Sequence, residues 1–107
     1  MTLNEIDVNE LKVMIDNDTN FILLDVRTDN EVFISKLSKS IHIPMNNIPN
    51  RLNELDKSKE IVIYCKSGQR SAKVYEYLYN NNFINIKNLK GGILAWAEKI
   101  DPNIIVY

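Results

Sequence analysis

The run Ile61-Val62-Ile63-Tyr64 constrains this chain more than any other segment. It is short, unbroken, apolar and mostly β-branched, which suits a strand buried on both faces better than one with a wet side. Such a strand needs cover above and below, and helices packed on both faces of a parallel sheet provide it. The charged stretch Asp56 to Glu60 precedes the run, and the polar turn Cys65-Lys66-Ser67-Gly68-Gln69-Arg70 follows it. A helical pattern then begins near Ser71, about six residues past the cysteine, with Ala72, Tyr75, Leu78 and Tyr79 expected on one face.

The same alternation recurs elsewhere. Asn9 is placed to cap a first helix in which Leu11, Met14 and Ile15 share a face. Phe21-Ile22-Leu23-Leu24 reads as another buried strand. Asp29 to Ser40 is polar and irregular, with Val32, Phe33 and Leu37 as candidate anchors. Ile41-His42-Ile43 reads as a short strand stopped by Pro44, which has no N–H for a ladder. Pro49 suits the first turn of a helix carrying Leu52 and Leu55. Asn80-Asn81-Asn82 ends the helix that starts near Ser71, with Asn82 suited to a left-handed end before Phe83. Ile84-Asn85-Ile86 reads as a further strand, and Gly91-Gly92 precedes a last helix containing Leu94, Trp96 and Ala97. The expected fold class is α/β, a central, mostly parallel β-sheet with helices on both faces, in a single domain over residues 1–107.

Charge and composition exclude several function classes. A net charge of −1 with acids and bases interspersed leaves no basic footprint for nucleic acid. No apolar run approaches the roughly 20 residues of a membrane span, and Met1-Thr2-Leu3-Asn4-Glu5 lacks the basic and apolar regions of a signal peptide. One cysteine forms no internal disulfide, so the expected compartment is the cytoplasm, where the thiol stays reduced. One cysteine and one histidine far apart make no metal site, and no glycine-rich nucleotide motif is present, so no metal and no cofactor are expected.

Attention therefore falls on Cys65. In open α/β sheets ligands sit beyond the carboxyl ends of strands, and Cys65 stands there. A tight turn feeding a helix exposes unpaired N–H groups, and if these converge on the sulfur they favour thiolate over thiol. Gly68 gives the turn the backbone freedom this needs. Lys66 and Arg70 add positive charge, Ser67 and Ser71 offer hydroxyl donors, and Gln69 completes the turn. The expected result is a sulfur that is negatively charged and open to solvent. A cysteine at a strand end is often only a small buried hydrophobe, but the polar, dibasic, glycine-containing turn is poor company for that role.

The segment Ile61 to Ser71 resembles the active-site segment of the rhodanese family. Leu23-Leu24-Asp25-Val26-Arg27 with Glu31 resembles the family's first motif, Ile43-Pro44 the end of its second strand segment, and Asn88 to Trp96 its closing motif. The resemblance covers nearly the whole chain in order. It implies a rhodanese fold and a sulfurtransferase that works through a Cys65 persulfide, with residues 66–71 around the sulfur. Implied donors are thiosulfate, polysulfide, a small persulfide or a protein persulfide. Implied acceptors are cyanide, thiols or a sulfur-carrier protein. The alternative is a rhodanese-like module that binds partners or senses oxidants without turnover. A phosphatase is disfavoured: related phosphate-handling cysteine enzymes place arginine one position further from the cysteine than Arg70.

Several positions depart from the family pattern. Ser35, Lys36 and Lys39 stand where glycine, histidine and glycine are usual, His42 replaces a common asparagine, and Lys66 a frequent arginine. Asp25, Arg27 and Glu31 are expected to form one charge network that holds the first strand's loop against the cysteine turn. His42 is expected to be structural, Trp96 to pack in the core, and Gly91-Gly92 to let the last helix approach the sheet.

Overall fold

Side chains along Glu60–Tyr64 alternate between two cores. Ile61, Ile63 and then Cys65 enter one, beside Leu24, Val74, Tyr75, Leu78 and Phe83. Val62 and Tyr64 enter the other, beside Leu11, Leu23, Leu37, Ile93 and Trp96. Ile61, Val62 and Ile63 are wholly buried, and each such side chain contributes about 1.5–3 kcal/mol relative to exposure.

The structure is a computed structural model that describes residues 2–106. Its strands and helices are β1 (Glu5–Ile6), α1 (Val8–Asp16), β2 (Phe21–Asp25), α2 (Asp29–Ile34), β3 (Ile41–His42), β4 (Glu60–Tyr64), α3 (Gln69–Asn80), β5 (Ile86–Leu89) and α4 (Gly92–Lys99). The sheet order is β1-β5-β4-β2-β3. Every pairing is parallel, so the fold is α/β as expected. The parallel register brings all the strands' carboxyl ends to one edge, where the loops after Asp25, Tyr64 and Leu89 meet. No helix among the described residues is long and apolar enough to cross a membrane.

Several local expectations are corrected. The cap of α1 is Asp7, not Asn9: Asp7 accepts from the Glu10 N–H at 2.8 Å, and Glu10 returns a bond to the Asp7 N–H. Val8 and Leu11 form the buried face, while Ile15 lies outside it. The stretch read as irregular opens with a helix: Thr28, just before it, and Glu31 form a second capping box that starts α2. Leu37 is buried there, but Phe33 is 91% exposed and anchors nothing. No α-helix starts at Pro49; two 3-10 turns, Met45–Asn47 and Leu52–Glu54, flank it, and Ile48 and Leu55 are buried there.

Helix α3 begins at Gln69, two residues before the expected start, and buries Ser71, Val74, Tyr75 and Leu78, while Tyr79 faces out. The last strand is Ile86–Leu89 and not Ile84–Ile86: Ile84 is 82% exposed. Asn82 does take the left-handed conformation, with φ 71°. Phe83 then plugs the core, and pairing starts only where the Ile61 N–H reaches the Asn85 carbonyl. On α4 the inward residues are Ile93 and Trp96, with Leu94 exposed.

Candidate active site

Cys65 follows the last residue of β4, and α3 starts four positions later. Gly68 caps that helix with φ 105°, a left-handed conformation in which a side chain is strained. The turn so formed closes on the sulfur. The Gly68 N–H donates to Cys65 Sγ at 3.1 Å and the Ser71 N–H at 3.4 Å, with Ser71 Oγ also 3.4 Å away. Burial pushes the Cys65 thiol up, but the Ser71 hydroxyl and the Ser71, Gly68 and Ser67 N–H groups more than offset it. The thiol ends below its ordinary value.

One expectation at this residue is corrected. Cys65 is 1% exposed, not open to solvent. The turn's own amides enclose the sulfur, and the side chain joins the α3-side core.

The cradle is shaped from behind. In a trans peptide the carbonyl and the N–H point in opposite directions. The Ile93 N–H holds the Cys65 carbonyl at 3.0 Å and the Leu94 N–H holds the Lys66 carbonyl at 3.1 Å. Both bonds pull carbonyls toward α4, which turns the following N–H groups of Lys66 and Ser67 the other way. Gly92 makes this approach possible: a Cβ there would stand 2.5 Å from the Cys65 carbonyl oxygen and 2.4 Å from that of Lys66. The glycine pair therefore joins α4 to the cysteine turn as well as to the sheet.

The other candidate residues divide into groups. Lys66 is half-buried and has no ion pair among the described residues; Ser67 and Gln69 are exposed. Arg70 makes a bidentate bond to Glu31, at 2.6 and 2.8 Å, which ties α2 to the first turn of α3. That bond holds the Glu31 carboxyl down at about 2. Asp25 and Arg27 form a separate pair. The Arg27 guanidinium donates to both Asp25 oxygens, at 2.8–3.2 Å, and to the Ser35 carbonyl at 2.6 Å. No hydrogen bond or ion pair among the described residues joins Arg27 to residues 65–71. The expected single network is therefore two. His42 keeps Nε2 2.7 Å from the Arg27 carbonyl; a carbonyl only accepts, so that nitrogen carries the proton, and the ring is engaged in holding the loop.

Sequence reasoning gave Asn88 no role of its own. It is buried on β5 at the same edge, and its Nδ2 lies 3.3 Å from the Gly68 carbonyl. A short polar side chain between the apolar Ile86 and Leu89 of β5 was the available signal. A cavity of about 390 Å³ lies on the α1–α4 side, bounded by Phe21, Leu23, Leu37, Trp96 and Ile104, and takes no residue from the cysteine turn. Among the described residues no cluster of side chains could hold a metal ion.

A family description, the rhodanese-like domain, matches residues 7–99. The chain belongs to the rhodanese-like domain family. A Bacillus subtilis protein named "Putative sulfurtransferase YtwF" is 39% identical over 95% of this chain and 98% of its own length. A protein of Allochromatium vinosum named "Sulfurtransferase" is 37% identical over 90% of each chain. The crystal structure of a rhodanese-like domain protein from Staphylococcus aureus is 35% identical, covers 98% of this chain and 99% of that one, and superposes with a TM-score of 0.84.

Proposed function

We propose that this rhodanese domain is a sulfurtransferase that carries sulfane sulfur on Cys65. The observation that carries the reading is the sulfur itself, which accepts hydrogen bonds from Gly68 and Ser71 at the positive end of α3. With thiosulfate as donor, the Cys65 thiolate attacks the sulfane sulfur, the S–S bond of thiosulfate breaks, and sulfite leaves with the bonding pair. The enzyme then holds a persulfide. The turn's N–H groups stabilise the negative charge on its outer sulfur, as an oxyanion hole does for oxygen. A nucleophile such as cyanide attacks that outer sulfur, thiocyanate departs, and the thiolate returns. Each step is a displacement at sulfur, so one cysteine suffices and no base is required.

Ser67, Gly68, Gln69 and Ser71 line the sulfur's position in this reading, with Lys66 as the unpaired cation at the rim. Arg70 acts through Glu31 by fixing the turn, and the Asp25–Arg27 pair supports the neighbouring loop. Polysulfide, small persulfides and protein persulfides are further donors of the same chemistry; thiols or a sulfur-carrier protein are further acceptors, in a cytoplasmic sulfur relay.

The test is thiocyanate formation from cyanide, with thiosulfate, polysulfide and glutathione persulfide supplied in turn. Turnover by the wild type that is lost in Cys65→Ser supports the reading. Sulfur loading without release to cyanide or thiols points instead to a partner-binding or redox-sensing module. Cys65-dependent hydrolysis of an aryl phosphate contradicts it.

A further inference from the structure

Gly68 has both of its backbone groups committed at the site. Its N–H donates to Cys65 Sγ at 3.1 Å, and its carbonyl accepts from the Ala72 N–H at 3.2 Å and from Asn88 Nδ2 at 3.3 Å. Glycine has the widest backbone freedom of any residue, so its φ of 105° is held by these partners and not by its own sterics. Asn88 supplies the one side-chain bond to the Gly68 carbonyl among the described residues.

Asn88 is an expensive choice for that position. It lies on β5, 1% exposed, between Lys87 and the fully buried Leu89. Its Nδ2 also donates to Glu5 Oε2 at 2.9 Å, and its Oδ1 is buried with no hydrogen-bond partner among the described residues. Both groups facing the amide, a carboxylate and a carbonyl, are acceptors, so the nitrogen must lie between them and the oxygen is left over. An apolar side chain would avoid that buried, unpaired oxygen. The residue type makes sense if the donor is what the position needs.

We infer that Asn88 is a positioning residue for the sulfur cradle: by holding the Gly68 carbonyl from β5, it keeps the Gly68 N–H aimed at Cys65. The inference rests on the reading of Cys65 as the nucleophile, and it adds a residue that never touches the sulfur. Aspartate would fit the same space but would bring a third acceptor against Glu5 and Gly68. Leucine would fill the space, remove the donor and remove the orphaned oxygen together.

The experiment follows the pH dependence of Cys65 alkylation by iodoacetamide, read by intact mass; the chain has one cysteine, so the signal has a single source. For Asn88→Leu the half-point is expected to rise by about one pH unit, the scale of weakening one hydrogen bond to a charged group. At neutral pH that reads as alkylation about tenfold slower. Thermal stability should stay level or rise, because a packing role alone would be served by leucine. Asn88→Ser serves as a second variant, less stable through the smaller side chain but with the same direction of shift. A profile that coincides with wild type in either folded variant overturns the inference. Failure of both variants to fold overturns it too, by placing Asn88 in the fold's own stability. Alkylation needs no sulfur donor, so a wild type that never loads sulfur would sink the proposed function and leave this comparison readable.

Discussion

The Asp25–Arg27 and Glu31–Arg70 pairs join the same two chemical groups in different surroundings. The first has side chains 0% and 2% exposed, and the second 13% and 30%. Inside, the pair is bonded on several sides: Asp25 takes the Arg27 backbone N–H as well as the guanidinium, which also meets the Ser35 carbonyl and lies 5.6 Å from the Tyr64 ring centre. Ions taken fully out of water hold together only when their remaining bonds are met. The outer pair keeps water on one side and reaches across 39 residues of chain to brace the turn that carries Cys65. One pair is thus part of the interior, and the other is a strap on the site.

The largest expected break in this comparison is Arg27→Met. It leaves the Asp25 carboxylate buried without its cation, and a loss of about 3–5 kcal/mol is expected from urea unfolding. Sulfur transfer per folded molecule should change little. Arg70→Lys should invert that pattern. The charge stays but the bidentate fork is lost, so stability falls by about 1 kcal/mol or less. Turnover should drop about tenfold as the turn loosens around the sulfur. Equal losses of stability in the two variants would erase the distinction between interior and strap.

Acid sharpens the comparison further. The Glu31 carboxyl, bonded to Arg70, is held at about 2 against an ordinary 4.5. A group whose folded value is depressed contributes stability above its unfolded value and loses it as pH falls toward the folded one. The melting temperature should therefore decline between about pH 4.5 and 2, and Glu31→Gln should flatten that part of the curve. A Glu31→Gln curve parallel to wild type would contradict the assignment. The smallest effect belongs to the Lys12–Asp16 pair on the open face of α1. There Lys12→Ala should change unfolding free energy by no more than about 0.5 kcal/mol.

How far the sequence showed this structure depends on element length and on where partners come from. β4 and α3 were legible because unbroken β-branched residues and a helical repeat are local patterns, and the glycine-bearing turn between them marked the site. β1 escaped notice because two residues carry no periodicity. α2 escaped because its capping box sits in a polar stretch with a fully exposed Phe33 and no buried residue. Ile84 looked like a strand residue, but Asn82 turns the chain so that Phe83, not Ile84, faces inward. At the site, residues near Cys65 in sequence could be named; the α4 amides and Asn88 are close only through the sheet. The burial of Cys65 followed from the same cause, since the turn's amides that favour the thiolate also enclose it.

The measurement that meets the central claim most directly is intact mass after incubation with polysulfide, followed by cyanide. The account predicts that wild type gains one sulfur atom, that Cys65→Ser gains none, and that cyanide restores the original mass with release of thiocyanate. A wild type that takes up no sulfur, or a Cys65→Ser variant that takes up as much, would contradict it.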